Sequence, residues 1–362
     1  MSGAASPRRG AARWYHGGMR SLARRRSRLI AVLAVALVAA GIAAGFTFAR
    51  STAHASRPVD IGVVVIETSL GLQQASAAGT GMVLTPRGEV LTNNHVIRGS
   101  TSIRVVVPSS GRSYSATVVG YSLTSDTAVL QLKNASALAT VKLGDSSRLR
   151  VGETVRAIGN AGGTGRLVVA RGRITGLNRA LTVSDDQGGS EHLTSLVATN
   201  AALQPGDSGG PLVDASGAVV GMDTAASLSG GFQFTDRTNG GFAIPIDRAV
   251  AVAKQIEAGR QSATVHVGGT AFLGISATPA GGFGPPGVAV DGVFNGSPAD
   301  RAGITGGDEI VALDGKAITS ENGLVSALLA KHPGDKISVT WLAGFSGQQQ
   351  TATVTLASGP PQ

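Results

Sequence analysis

Cysteine is absent from the 362 residues, which removes disulfides, thiol catalysis, iron–sulfur clusters and cysteine-ligated zinc together. Aromatic residues make up only 4%, so the core must be built from Val, Leu, Ile and Ala. Charged residues are sparse, at 15% against 42% hydrophobic, a balance that excludes a disordered chain and a coiled coil. Most of the chain also lacks net charge. The formal +9 resides in residues 1–50, which hold nine arginines, no lysine and no acid; the 22 basic and 22 acidic residues of 51–362 cancel. A general nucleic-acid surface on the body of the protein is thereby excluded.

Glycine is plentiful, with 52 residues, as many tight turns between short strands require. Leu29 to Ala49 forms a run of 21 residues without a charge. At about 1.5 Å per residue it extends roughly 31 Å, close to the roughly 30 Å hydrocarbon core. Arg20, Arg24, Arg25, Arg26 and Arg28 precede it, which keeps the N-terminal side cytoplasmic and sends the chain after Arg50 across the membrane. Ala53-His54-Ala55 also fits a signal-peptide cleavage site, but the apolar run exceeds the usual core of about 7–15 residues. The expectation is a basic, disordered cytoplasmic tail over 1–28, a single transmembrane helix over 29–49, a linker over 50–59 and an extracytoplasmic body.

From residue 60 the pattern changes to short apolar runs at intervals of about 8–12 residues, separated by Gly, Asn, Asp and Ser, the mark of an all-β barrel or sandwich. One helix follows Pro245-Ile246-Asp247, with Val250, Ala251, Ala253 and Ile256 as its apolar positions and Gly259 as its stop. Residues 260–270 read as a linker or linking strand. A second unit of about 90 residues then carries five strands and one helix near 321–331, and Gly359-Pro360-Pro361-Gln362 reads as a tail. His192, His266 and His332 stand isolated and read as surface residues. Neither H-E-x-x-H nor G-x-x-x-x-G-K-[ST] occurs, and no metal or cofactor is implied.

Three segments belong together: a histidine after a strand (Thr92-Asn93-Asn94-His95), an acid opening a buried strand (Ser125-Asp126-Thr127), and a serine in a glycine-rich turn (Pro205-Gly206-Asp207-Ser208-Gly209-Gly210-Pro211). His, Asp, Ser is one known order of a hydrolytic triad. A serine hydroxyl is a weak nucleophile near neutrality and needs a base to take its proton. Imidazole suits that task, and a buried carboxylate holds the right tautomer. The turn Gly206-Asp207-Ser208 would form an oxyanion hole, with the N–H groups of Gly206 and Ser208 as donors.

Residues 60–258 resemble the trypsin-like serine proteases of the HtrA/Deg group. The resemblance rests on GTGMVLTPRGEVLTNNHVI (79–97), SDTAVLQL (125–132), LGDSSRLRVGETVRAIGN (143–160), ATNAALQPGDSGGPLVDASGAVVGM (198–222) and GGFAIPID (240–247). It implies a mainly β fold, with two perpendicular six-stranded β-barrels and the site in the cleft between them, His95 as base, Asp126 as orienting acid and Ser208 as nucleophile. Asp207 departs from the Asn usual in the group and reads as a local hydrogen-bonding residue. The fold also implies Ala202 near the floor of the primary pocket and Gly241, Phe242 and Ala243 along one wall. With no acid at 201–203, cleavage after small or medium aliphatic residues is expected, not after Lys or Arg.

The second unit, with Phe272-Leu273-Gly274-Ile275 at its start and GVFNGSPADRAGITGGDEIVALDGKAI (292–318) after it, resembles a PDZ domain over 271–358, joined by a linker over 259–270. Consecutive backbone N–H groups at 273–275 would hold a terminal carboxylate, and the strand edge after them would accept a peptide. The expected protein is a membrane-anchored serine endopeptidase acting on misfolded or regulatory extracytoplasmic proteins, with C-terminal peptides as PDZ ligands. The resemblance suggests a homotrimer. The alternative is a catalytically silent chaperone or peptide-binding scaffold.

Overall fold

β-Branched and aliphatic runs alternating with turn residues fold as strands because their side chains pack on a pleated surface. In the computed structural model, residues 60–184, 190–224, 240–279, 287–344 and 346–362 are described. The basic arm, the apolar run at 29–49, Ala53-His54-Ala55 and the linker over 50–59 lie outside them. No helix among the described residues is long and apolar enough to cross a membrane.

Six strands open the fold: β1 (Val63–Leu70), β2 (Ala75–Val83), β3 (Glu89–Thr92), β4 (Ser102–Val107), β5 (Arg112–Ser122) and β6 (Thr127–Leu132). They run in the order β5-β4-β1-β2-β3-β6, and pairing of β5 with β6 closes the ring. A one-turn helix, α1 (Asn94–Ile97), follows β3. A second closed barrel has the order β10-β11-β12-β9-β8-β7. Its strands are β7 (Thr154–Gly159), β8 (Val168–Ser184), β9 (Ser190–Thr199), β10 (Pro211–Val213), β11 (Val219–Thr224) and β12 (Gly241–Pro245).

The two-residue period of a strand sends neighbours to opposite sides. Val64, Ile66, Val90 and Leu130 therefore fill the first barrel. Val63, Leu91 and Val129 turn the other way and share a core with Ile158, Met222 and Ile244 of the second barrel. Helix α2 (Ile246–Glu257) closes over that shared core with Ile246, Ala249, Ala253 and Ile256. This corrects the expected face. Ala251 is exposed and Val250 only half-buried, because the inward stripe begins at Ile246, inside the helix.

Within the stretch read as a linker or linking strand, residues 266–267 form strand β13 (His266–Val267), which adds to β5. Two expectations fail after this point, for one reason: the second unit is packed against the barrels. His266 is buried, with Nδ1 2.9 Å from Leu329 O and Nε2 3.1 Å from Gly269 O. Its ring lies between those of Tyr121 and His332. The segment 359–362 is not a loose tail. Gly99 N donates to Pro361 O at 2.8 Å, and Asn94 Nδ2 donates to Gln362 O at 2.9 Å.

The second unit contains β14 (Thr270–Phe272), β15 (Ile275–Pro279), β16 (Val288–Val293), helix α3 (Pro298–Ala302), β17 (Glu309–Leu313), β18 (Lys316–Ala317), helix α4 (Glu321–Leu329), β19 (Lys336–Leu342), β20 (Gln349–Thr355) and β21 (Ala357–Gly359). Its main sheet runs β15-β16-β17-β19-β20, and β14 pairs with β21. Ser297 and Ser320 cap α3 and α4 by accepting from Asp300 N and Gly323 N, as serine does best at a helix start. Leu273, Val290, Ile310, Val339, Trp341 and Leu356 are buried in its separate core.

Candidate active site

The antiparallel pairing of β3 with β6 sets Thr92 opposite Ala128, so the residues that leave β3 meet those that enter β6. Asp126 sits there at φ +43°, a left-handed conformation that aspartate tolerates better than most residues. Asn93 does not cap α1; its Nδ2 donates to Asp126 O at 2.9 Å. His95 then meets the carboxylate twice, with its backbone N 3.0 Å from Oδ1 and its Nδ1 2.9 Å from Oδ2. The Asp126 side chain is 1% exposed and the His95 side chain 37%. The imidazole thus reaches solvent while its anchor does not. A carboxylate acceptor assigns the proton to Nδ1 and leaves Nε2 as the basic nitrogen.

Two further residues tie this arrangement to the second barrel, and motif reading passed over both. Thr224, at the end of β11, donates through Oγ1 to Asp126 Oδ2 at 3.2 Å. Thr80, in β2, grips the serine turn: its N donates to Ser208 O at 2.9 Å and its Oγ1 to Gly206 O at 2.7 Å. Thr80 O in turn accepts from Thr92 Oγ1 at 2.7 Å, on the strand that leads to His95. A single threonine therefore holds both the Ser208 turn and the His95 strand. Nothing in the spacing of Thr80 or Thr224 distinguishes them from other strand threonines.

The serine turn is itself tightly packed. Gly206 has φ +97°, and a Cβ there would lie 2.2 Å from Asn160 O, so no other residue fits. The loop after β7 is anchored by Asn160 N donating to Thr80 Oγ1 at 2.9 Å. The N–H of Asp207 donates to Gln204 O at 3.0 Å. The amide of Asp207 is thus taken up inside the turn.

The side chain of Asp207 makes the local hydrogen bond expected of it, accepting from Gln204 N through Oδ2 at 2.9 Å. Its Oδ1 has no partner among the described residues, and neither carboxylate oxygen of fully buried Asp223 has one. The backbones of the two segments are joined, Gly209 N to Asp223 O and Asp223 N to Gly210 O. Burial pushes the Asp207 carboxyl up to about 6 against the lowering effect of the Gln204 bond. Asp223 stands well above the ordinary carboxylate range, through burial first and the charge of Asp207 second. Desolvation penalises the ionised form, and among the described residues no cation offsets it at either acid. Asp223 also escaped the sequence reading, because a lone acid at a strand end carries no motif.

The pocket residues divide. Ala202 is exposed beside the turn. The side chains of Phe242 and Ala243 are buried in the two cores that flank β12, which corrects their reading as pocket walls. Leu203 lies against Gly241, where a Cβ would be 2.1 Å from its Cδ1.

In the second unit, Phe272 ends β14, Leu273 is buried, and Gly274 turns at φ +89° before Ile275 opens β15. Gly274 O accepts from Phe294 N at 3.0 Å and from Ser297 Oγ at 3.2 Å, and Leu273 O from Ala299 N at 2.9 Å. The carbonyls of this loop are thus held by the domain. Among the described residues, strand β15 ends its sheet, paired with β16. Among the described residues, no three His, Cys, Asp or Glu side chains converge as metal ligands would.

The trypsin-like peptidase domain family matches residues 79–222, and the PDZ domain family matches residues 271–356. The chain is 35% identical over 307 residues to serine protease PepD of Mycobacterium tuberculosis, covering 81% of this chain and 63% of that protein. It is 32% identical over 297 residues to a probable periplasmic serine endoprotease DegP-like of Halomonas elongata, covering 80% and 58% respectively. The chain thus spans about six-tenths of the length of these relatives. Among solved structures it is similar to the HtrA-type protease AlgW with tripeptide, at 32% identity and a TM-score of 0.47, over 83% of this chain and 95% of that one.

Proposed function

The chain belongs to the HtrA/Deg family of trypsin-like serine endoproteases carrying one PDZ domain, and from that premise we propose that it hydrolyses peptide bonds through Ser208, His95 and Asp126. The observation that carries this reading is the His95 Nδ1 to Asp126 Oδ2 contact at 2.9 Å, doubled by His95 N and backed by Thr224. The orienting acid is buried while the imidazole it holds remains accessible.

His95 Nε2 takes the Ser208 hydroxyl proton as Oγ attacks the scissile carbonyl carbon. The carbonyl π electrons move to oxygen, and the resulting oxyanion is received by the N–H groups of Gly206 and Ser208. Collapse expels the amine, which takes the proton from His95, and water repeats the cycle on the acyl-enzyme. Asp126 holds the tautomer and stabilises the imidazolium without itself taking a proton. Asp207 serves as internal support for the turn.

Substrates in this reading are misfolded or regulatory extracytoplasmic proteins, cut after small or medium aliphatic residues. Phe272-Leu273-Gly274-Ile275 receives C-terminal peptides, which add to the open edge of β15. Residues 29–49 anchor the protein in the cell membrane as a single span with the N-terminal side cytoplasmic, and the copies assemble as trimers. A fluorophosphonate that acylates catalytic serines tests the central claim. Labelling of the folded protein that disappears in Ser208→Ala is the expected result; absence of labelling in the folded wild type leaves a peptide-binding scaffold.

A further inference from the structure

Helix α1 is a single turn, too short to be stable by itself, since one hydrogen-bonded turn fixes several dihedrals for little return. Its N-cap residue makes no capping bond, so its position depends on what grips it from outside. On the Asp126 side the grips are those of the site already described. On the opposite side they come from the far end of the PDZ unit. Asn94, fully buried and next to His95, donates through Nδ2 to Gln362 O at 2.9 Å, and Gly99 N, just past the turn, donates to Pro361 O at 2.8 Å.

Residues 360–362 are held in turn by Tyr121 of β5, which is 0% exposed. Its hydroxyl lies 3.3 Å from Gln362 N and 3.1 Å from Thr270 Oγ1. A phenol has one proton: accepting from Gln362 N leaves that proton for Thr270. One hydroxyl thereby joins the first barrel to both strands of the β14–β21 ribbon at one end, since Thr270 pairs with Gly359. Thr270 is also two residues before Phe272, at the mouth of the peptide loop.

We propose that Tyr121, Asn94 and residues 360–362 form a strap that positions the helical turn carrying His95, so that the PDZ unit completes the catalytic geometry of the protease. This rests on the triad reading above. It makes Tyr121 and Asn94 positioning residues for the reaction, and it gives Pro360-Pro361-Gln362 a role: two prolines stiffen a short connection whose carbonyls are its working groups.

The test compares full-length protein with Tyr121→Phe, Asn94→Ala and a chain ended after Gly359. Peptide hydrolysis, fluorophosphonate acylation per folded molecule, and the low-field proton resonance of the His95–Asp126 hydrogen bond are measured in each. Tyr121→Phe is expected to lower kcat and the acylation rate about 3- to 10-fold with KM within about twofold, the effect of losing one or two hydrogen bonds. It should also broaden or shift the low-field proton. The shortened chain should lose about tenfold, and adding Asn94→Ala to it should cost nothing further, because the truncation has already removed the Asn94 contact. Variants that lose thermal stability but acylate at the wild-type rate per folded molecule, with the resonance unmoved, overturn the strap; so does full additivity. A wild type that shows the resonance but is never acylated refutes the hydrolase reading instead, and the resonance in the variants then still decides the strap.

Discussion

Two sets of buried acids flank the site, and the fold treats them in opposite ways. Asp126, under the first barrel, is 1% exposed in its side chain and accepts from His95 N, His95 Nδ1 and Thr224 Oγ1. Asp207 and Asp223, in the second barrel, are as deeply buried, yet Gln204 N is the one donor they receive among the described residues. A carboxylate with several donors is held as an anion. A pair that receives a single donor is better accommodated as neutral acids. The same residue type thus receives three hydrogen bonds on the histidine side and is disfavoured as an anion at the serine turn, where negative charge would oppose the proposed oxyanion.

The largest effect should come from removing the charge on the donor-rich side. Asp126→Asn retains the shape but reverses the tautomer preference of His95, and kcat/KM on a peptide substrate should fall by about 10⁴-fold. A loss under tenfold would show that the many donors at Asp126 serve stability alone. Thr224→Val, which keeps shape and drops one donor, should lower kcat about 10-fold with KM little changed, the cost of a bond to a charged acceptor.

The donor-poor side predicts the opposite sign for an acid-to-amide change. Asp207 has a folded value near 6, above its unfolded value, so the folded protein holds a proton that the unfolded chain has released. The stability contributed by the neutral carboxyl is complete below about pH 4 and is lost as pH rises through about 6. Asp207→Asn should therefore be more stable than wild type at pH 8, by on the order of 2 kcal/mol, and should lack that decline in urea unfolding measured from pH 4 to 8. A wild type whose unfolding free energy rises across this window would break the comparison. The smallest effect belongs to an acid in water: Glu67 pairs with Arg104 at 2.8 Å with both side chains nearly half exposed. Glu67→Gln should change stability by about 0.5 kcal/mol or less at any of these pH values.

How much of this was legible beforehand depended on whether the signal was continuous along the chain. Gly206-Asp207-Ser208-Gly209-Gly210 announces its turn because glycine at φ +97° leaves no alternative, and Phe272-Leu273-Gly274-Ile275 announces its loop for the same reason. His95 and Asp126 were legible as residues at strand ends, since β3 and β6 are plain from their apolar runs. Thr80 and Thr224 were not, because a strand threonine becomes a hub only when a second barrel is laid against it. Phe242 and Ala243 were misassigned because period-2 alternation tells which residues share a face but not which face meets a substrate. His266 and residues 359–362 were misread as surface and tail because a short polar stretch has no periodicity to reveal that another domain will cover it.

The sequence alone determined the chemistry on offer, the strand-rich architecture and the boundary between two units, since these arise from residue types and local periods acting over a few neighbours. Tertiary structure alone decided which buried acids receive several donors and which do not, which threonines hold the serine turn, and that a segment beyond residue 359 contacts the turn bearing His95. Donor count, burial and contact between residues more than two hundred positions apart are properties of the packed chain, and no local pattern encodes them.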